Sequence, residues 1–198
     1  MNKTAPLIIL FATLSAGCAY HEQVVILPPS PVESNSINDY AMRSGTRVVI
    51  NLSEQRAYLF EEGKVSLIAP IASGKPGWST PTGNFTIISK DIDHHSQSFG
   101  LIVDGAGRIA TADATPGTHV PRGSHYQPAP MPYYVQFSSE IGMHAGYLPG
   151  YPASHGCVRM PRDLAARFFE RVQVRTPVTV KGSTQNLTGV RIAIPLAD

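Results

Sequence analysis

The 198-residue sequence predicts a mainly β domain with one clear helix. From Thr46 onward, apolar residues recur at every second position, which is the period of a strand with one buried face. Only residues 161–172 show the spacing of an amphipathic helix. No long apolar segment follows the first twenty residues, so none of the later chain is predicted to span a membrane.

The β pattern begins with "RVVINL", whose apolar residues share one face: Val48, Ile50 and Leu52. The next segment, "QRAYLFEEGKVSLIAPIAS", predicts a hairpin with one strand ending at Phe60 and a turn over residues 61–64. Its returning strand is predicted to place four residues on one face: Val65, Leu67, Ala69 and Ile71. A Gly- and Pro-rich loop, "SGKPGWSTPTG", then leads to one further strand, "NFTIISK".

The central part of the chain predicts a hairpin between two long loops. "FGLIVDGAGRIATAD" suggests a turn at Gly105–Gly107. The flanking segments, "DIDHHSQS" and "TPGTHVPRGSHYQPAP", are predicted to be surface loops that wall a groove, because long loops in a compact domain are usually functional or mobile. "YYVQFSSEIGMHAG" then returns to strand character, with His144 at the end of the strand.

The helix is predicted over "PRDLAARFFERV". Pro161 suits its first position, and Asp163 suits the positive end of its dipole. Its apolar residues recur four apart: Leu164, Phe168 and Val172. "TPVTVKG" predicts a short closing strand, and residues 182–198 are predicted to be a tail or an accessory strand.

The N-terminus predicts export. Lys3 precedes an apolar run that is too short for a mature transmembrane helix, and small residues follow it, as in a signal peptide over residues 1–17. "LSAGC" is similar to a bacterial lipobox, although Ser15 stands where Leu is preferred, and it predicts a lipid on Cys18. The alternative is ordinary cleavage after Ala19, which would remove Cys18.

Residues 18–45 predict a flexible tether that follows the lipid-bearing residue. Their Pro, Ser and Asn content lacks apolar periodicity, although an extended arm packed on the domain is the alternative. The formal charge of the whole chain is +2, which gives no support to nucleic-acid binding. The sequence does not indicate an oligomeric state.

The segment "HAGYLPGYPASHGCVRM" carries the candidate chemistry. If Cys18 is acylated or removed, Cys157 has no partner, and an unpaired thiol outside the cytosol is either buried and inert or chemically active. A thiol nucleophile needs a base, and His144 and His155 both lie near Cys157 in sequence. The N–H groups of Gly156 and Cys157 are predicted to form an oxyanion hole. Arg159 suits a carboxylate, and Ser154 is predicted to brace the turn.

The residues alone leave two other interpretations open. Cys157, His144 and His155 are also a plausible zinc-ligand set. Four other histidines extend that set: His94, His95, His119 and His125. The second interpretation is that the segment has only a structural role.

The segment also resembles the signature of the YkuD-type L,D-transpeptidase catalytic domain, in which a histidine and a variable loop precede Ser-His-Gly-Cys, a hydrophobic residue and Arg or Asn. "TPTGNF", "INLSEQRAYLF" and "MPYYVQF" are similar to the same family, and the likeness runs over residues 46–181. Ala145 departs from the pattern, because Gly146 follows one place later. The resemblance implies a β-sandwich or β-roll domain with its helix after the cysteine motif.

The resemblance implies an enzyme that acts on peptidoglycan stem peptides without a metal or an organic cofactor. Cys157 would attack the carbonyl of the third stem residue and release D-Ala, and an acceptor amine would resolve the thioester into a 3→3 cross-link. His144 would be the general base, oriented by the carbonyl of Ala145. His155 and Ser154 would support the site, and Arg159 would bind a substrate carboxylate.

Rival functions share these residues. A carboxypeptidase or hydrolase would use the same thioester with water, and a non-catalytic wall-binding module would use Cys157 only structurally. If His144 is the base, its imidazolium is expected to hold Cys157 as a thiolate below the usual thiol pKa. The substrate implies a periplasmic enzyme, lipid-anchored to a membrane, and Ala19 after the acylated cysteine favours the outer one.

Overall fold

The computed structural model describes residues 45–184, in which ten strands form two sheets and one helix follows the ninth strand. The strands are β1 (Arg47–Asn51), β2 (Arg56–Glu61), β3 (Lys64–Pro70), β4 (Gly83–Thr86), β5 (Ser89–Asp104), β6 (Ile109–Ala114), β7 (Ser124–Ser138), β8 (Ile141–Ala145), β9 (Val158–Met160) and β10 (Pro177–Lys181). Helix α1 spans Arg162–Arg171. The predicted mainly β fold is confirmed.

The first sheet has the order β3-β2-β1-β10-β4. β1 runs parallel to β10, and every other pair of neighbouring strands in this sheet is antiparallel. The second sheet has the order β6-β5-β7-β8-β9, and only β8 and β9 are parallel. Parallel neighbours cannot be joined by a tight turn, so a loop connects β8 to β9 and carries the chain from His144 to Cys157.

The main core lies between the sheets and α1. Its members come from both sheets, including Ile50 and Leu59 from the first and Phe137 and Met143 from the second. Phe168 and Val172 pack into it, as the helical spacing predicted. The helix begins at Arg162, one residue later than predicted, and Pro161 is its N-cap residue rather than its first helical residue.

Two strand predictions were wrong because of local irregularities. The pairing of β2 with β3 shifts between Leu59 and Phe60, so Val65 packs with Phe60 on the opposite face from Leu67. "NFTIISK" is also not one strand. The chain leaves the first sheet after Thr86 and enters the second at Ser89.

The predicted loop at 91–98 is a strand, and so is the second half of the predicted loop at 115–130, whereas residues 115–123 do connect two strands as a loop. β5 and β7 pair antiparallel along most of their length and form a long ribbon. Several prolines of β7 lie in the part of the ribbon that precedes Val135. β8 pairs with β7 only from Val135 onward. The missing N–H groups of these prolines are tolerated because one edge of that part of the ribbon carries no strand. The turn predicted near Gly105–Gly107 is confirmed between β5 and β6.

The predictions for the signal peptide, Cys18, the tether and the C-terminal strand fall almost entirely outside the described residues. Within residues 45–184, no helix has the length and apolar character needed to cross a membrane.

Candidate active site

His144 lies at the end of β8, where it pairs in register with Arg159 of β9. Its side chain is buried, and its Nδ1 donates a hydrogen bond to the Ala145 carbonyl oxygen at 2.9 Å. A carbonyl can only accept, so this contact places the proton on Nδ1 and leaves the lone pair on Nε2. The orienting contact expected from Ala145 is therefore present.

Burial determines the charge state of His144. Removal of water around the ring lowers the pKa of His144 from its ordinary 6.5 to about 4, and the nearby charges of Arg159 and His94 act in the same direction. The bond to the Ala145 carbonyl opposes this shift only partly. His144 is therefore a neutral imidazole at neutral pH.

Cys157 immediately precedes β9 and is partly buried. Its Sγ–H donates to the Glu140 carbonyl oxygen, with a sulfur–oxygen distance of 3.6 Å. Burial raises the pKa of Cys157, while a hydrogen bond from the Gly142 N–H and the charge of Arg159 lower it by less. In the free enzyme, Cys157 is therefore a thiol.

This charge state differs from the thiolate–imidazolium pair expected from the sequence. Burial acts on the pKa of His144 and on the pKa of Cys157, and in each case it favours the uncharged form. At neutral pH the two groups are thus a neutral imidazole and a neutral thiol. Local sequence carries no information on this burial, which involves residues of a neighbouring strand such as Tyr134 of β7.

The turn before Cys157 is braced by Ser154, as predicted. The Ser154 hydroxyl donates to the Cys157 carbonyl oxygen and accepts from the Gly156 N–H at 3.1 Å. The Gly156 N–H is therefore already bonded, so the prediction that it lines an oxyanion hole is wrong for this state. The Cys157 N–H remains the candidate donor from this turn.

Gly156 is required for a different reason. Its φ of +114° lies in a region that L-residues rarely adopt, and a Cβ at this position would lie 2.7 Å from Cδ1 of Ile141. The glycine therefore allows the turn before Cys157 to approach the β7–β8 hairpin closely.

A neighbouring loop fixes the same turn from the other side. Ala72 and Arg159 exchange backbone hydrogen bonds at 2.9 and 3.0 Å, and the Lys75 N–H donates to the Ser154 carbonyl at 2.9 Å. The buried Thr80 hydroxyl accepts from the Gly74 N–H at 2.9 Å and donates to the Gly156 carbonyl at 2.7 Å. Reasoning from sequence did not identify Thr80, although it lies in the quoted "TPTG" segment.

His155 is fixed by aromatic contacts. Its ring stacks on Phe99 at 4.1 Å between centroids and meets the edge of Trp78 at 4.9 Å. Asp113 lies 3.2 Å from Lys75 and 3.9 Å from His155. Burial and the charge of Lys75 lower the pKa of His155, so this residue also favours its neutral form. These contacts give His155 a supporting position.

Arg159 supplies positive charge to the site. Its aliphatic chain lies against Gly146, and a Cβ added to Gly146 would stand 3.0 Å from Cγ of Arg159. Its charge acts on the pKa of His144 and on the pKa of Cys157. Within residues 45–184, no hydrogen bond or ion pair engages its guanidinium group, which suits an anionic partner.

The histidines considered as metal ligands lie apart. In the described part of the chain, no three His, Cys, Asp or Glu side chains are grouped to hold a metal ion. His94 instead pairs with Asp91 at 3.2 Å and stacks on Tyr134 at 4.2 Å between ring centroids.

Comparison with known proteins gives one family match and a set of similar structures. The model of the L,D-transpeptidase catalytic domain, YkuD, matches residues 45–180. A crystal structure of L,D-transpeptidase from Stackebrandtia nassauensis is 20% identical with a TM-score of 0.52, and the match covers 72% of this chain and 58% of that one. No curated protein sequence matches.

Two Enterococcus faecium structures are also similar. A cysteine-to-serine variant of its L,D-transpeptidase is 26% identical with a TM-score of 0.51, and the match covers 70% of this chain and 50% of that one. The catalytic domain acylated by ertapenem is 24% identical with a TM-score of 0.50, and the match covers 70% of this chain and 98% of that one. The match thus spans less than two thirds of the Stackebrandtia chain but nearly all of this isolated catalytic domain.

Proposed function

The chain belongs to the L,D-transpeptidase catalytic domain family, and on that basis we propose that it is a peptidoglycan L,D-transpeptidase whose nucleophile is Cys157. One observation carries the assignment of residues. The parallel pairing of β8 with β9 sets His144 opposite Arg159, two residues beyond Cys157 on the neighbouring strand, and the hydrogen bond from Nδ1 to the Ala145 carbonyl leaves Nε2 of His144 without a proton. A base and a nucleophile are the parts that acyl transfer requires.

In the first half of the proposed reaction, the tetrapeptide stem donates an acyl group. His144 Nε2 takes the proton of the Cys157 thiol as Sγ attacks the carbonyl carbon of the third stem residue. The oxyanion that forms is stabilised by the Cys157 N–H and by the charge of Arg159. The C–N bond then breaks, and His144 returns the proton to the departing D-Ala amine, which leaves a thioester on Cys157.

In the second half, an acceptor amine attacks the thioester carbon and the C–S bond breaks. One amine proton passes through His144 to Sγ, which restores the thiol. The thioester conserves the energy of the original peptide bond, so the exchange needs no nucleotide or other activated co-substrate. The product is a 3→3 cross-link, and D-Ala is the only group released.

The neutral state of the pair fits this sequence. A base with a pKa of about 4 is unprotonated at neutral pH, and it is therefore ready to accept the thiol proton when substrate binds. Charge then develops only as the carbonyl is attacked.

Mass spectrometry of the products from a disaccharide-tetrapeptide tests the proposal. The parent is expected to release D-Ala and to form a cross-linked dimer, whereas Cys157→Ala is expected to do neither. Products that contain only a shortened stem would instead assign a hydrolase. An active Cys157→Ala variant would overturn the assignment of the nucleophile.

Acylation by a carbapenem provides a second test. A related catalytic domain has been solved as its ertapenem adduct, and a strained β-lactam ring presents an electrophilic carbonyl to the thiol. Intact-mass analysis and peptide mapping are expected to locate the adduct on Cys157. An adduct on another residue would contradict the assignment.

We further propose that the enzyme is exported and anchored by a lipid on Cys18. The apolar run that ends in "AGC" supports this, and the Pro- and Ser-rich segment beyond it suits a tether to the cell wall. Such an anchor places the domain beside its proposed substrate, in the periplasm and at the outer membrane.

A further inference from the structure

The turn between β7 and β8 lies directly beside the nucleophile. β7 ends at Ser138 and β8 begins at Ile141, and these two residues pair across the hairpin. Glu140 occupies the turn with a φ of +55°, and its carbonyl oxygen is 3.6 Å from Sγ of Cys157. The position of the Glu140 backbone relative to the reacting sulfur is thus set by a tight hairpin.

The side chain of Glu140 is exposed and carries a negative charge without a partner in the described part of the chain. Asp113 pairs with Lys75 and Asp91 pairs with His94, but Glu140 has no ion pair or side-chain hydrogen bond among residues 45–184. Its charge is nevertheless close to the site, because it and Cys157 both help to raise the pKa of the buried Tyr134 hydroxyl. Two charged groups without a partner among residues 45–184 therefore flank Cys157, the carboxylate of Glu140 at the β7–β8 turn and the guanidinium of Arg159 on β9.

We propose that Glu140 selects the acceptor by attracting the ammonium form of an incoming amine to the Cys157 thioester. This inference rests on the proposed transpeptidase function and concerns its second half only. At that stage an amine and water compete for the same thioester. An amine arrives mostly as a cation at neutral pH and gains from a nearby carboxylate, whereas water is uncharged and gains nothing.

The proton balance of this step is complete without further reactants. The ammonium group releases one proton to solvent, and the neutral nitrogen attacks the thioester carbon. The C–S bond breaks, and the second proton passes through His144 to Sγ. Glu140 takes no part in bond making. It raises the local concentration of the amine and is a specificity determinant.

The chain contains a matched control. Glu62 occupies the turn between β2 and β3 with a φ of +48°, close to the value for Glu140, and it lies in the first sheet. Glu62→Gln therefore removes the same charge from a turn of similar conformation, away from Cys157. Glu140→Asp keeps the charge and serves as the conservative variant.

The experiment measures the ratio of cross-linked to hydrolysed product from a tetrapeptide donor, using the full chain. With an acceptor stem that bears a side-chain amine, Glu140→Gln is expected to lower this ratio by roughly two- to five-fold, the size typical of an exposed charge pair. The parent ratio is expected to fall with added salt, and that of the variant to respond less. Hydroxylamine, which is uncharged at neutral pH, is expected to give the same ratio with both enzymes.

Several outcomes would overturn the inference. An equal loss in Glu62→Gln would show a general charge effect, and an equal loss with hydroxylamine would show that attraction of a cation is not involved. A change in the rate of D-Ala release during the first turnover, measured without an acceptor, would show that Glu140→Gln disturbs the first half-reaction. If the parent itself released no D-Ala, the proposed function would fall first, and this inference with it.

Discussion

Replacement of His144 separates two accounts of how Cys157 is activated. If a thiolate–imidazolium pair existed in the free enzyme, His144→Ala would remove a positive charge and raise the pKa of Cys157 by about 1–3 units. In the structure, the pKa of His144 is lowered to about 4, so the ring is neutral when Cys157 titrates. The loss of a neutral ring removes no charge. The alkylation midpoint is therefore expected to move by less than about one unit.

The assay is the rate of iodoacetamide alkylation of the free enzyme from pH 5 to 10. Only the thiolate reacts, so the rate follows the ionisation of Cys157. An ordinary thiol with a pKa of about 8.5 is roughly one-tenth ionised at pH 7.5. Burial raises the pKa of Cys157, so the parent is expected to react more slowly than an ordinary thiol near neutrality, with its rate still rising above pH 8. Turnover in His144→Ala is nevertheless expected to fall by roughly 10²–10⁴-fold, the usual contribution of a general base.

The control for this experiment is His125→Ala, which removes an exposed histidine of β7 and should change neither measurement. A parent rate that stays fast and flat from pH 5 to 8 would show that the ion pair exists. A large upward shift of the midpoint in His144→Ala would show the same, and either result would refute the neutral pair. If His155→Ala abolished turnover while His144→Ala did not, the base would have been assigned to the wrong histidine.

Three further predictions follow from the described contacts and the sequence. Thr80→Val leaves the Gly74 N–H and the Gly156 carbonyl without their bonds, so it is expected to cost about 1–3 kcal/mol in urea unfolding and to lower turnover, whereas Thr80→Ser should retain most of both. Unfolded His144 binds a proton below about pH 6.5, but folded His144 binds one only near pH 4. The free energy of unfolding is therefore expected to fall by up to about 3 kcal/mol as the pH drops through that interval, and by less in His144→Gln. Equal pH dependence of the parent and the variant would contradict this. The mature protein from a Gram-negative host is expected to begin at a lipid-modified Cys18 by intact mass, and an unlipidated chain that begins at Tyr20 would disprove it.

The parts of the fold that were predictable are those in which one face of an element is buried. β10 and α1 were predicted correctly because their apolar residues recur with the period of the element, and β1 was predicted correctly from the same alternation although it is buried on both faces. The middle of β5 (residues 91–98) and the first half of β7 (residues 124–130) were predicted as loops, because much of this part of the ribbon is exposed on both faces and carries no alternation. Its prolines also resemble loop signals. They are compatible with a strand only because the neighbouring edge is empty, which sequence cannot show.

The candidate site divides in the same way. The residues of the "SHGC" segment were identified because their chemistry is local, and so was the bracing role of Ser154. The hydrogen bond that already engages the Gly156 N–H was missed because it depends on the orientation of the Ser154 hydroxyl. Thr80 was missed because its role comes from a contact with a residue 76 positions away. The expected thiolate–imidazolium pair differs from the neutral forms that burial favours, and this burial depends on residues from other strands, such as Tyr134 of β7 beside His144.

The charge of Arg159 has a consequence for the proposed mechanism. It lowers the pKa of His144 and also lowers the pKa of Cys157. Transfer of the thiol proton creates a cation on His144, which Arg159 disfavours, and an anion on Cys157, which Arg159 favours. The two effects oppose each other, so Arg159 contributes little to the proton transfer itself. Its net contribution must fall on negative charge that the substrate brings, either a carboxylate or the oxyanion of the attacked carbonyl. In the proposed mechanism, Arg159 on β9 therefore supplies the positive charge that stabilises the substrate anion, and His144 transfers the proton.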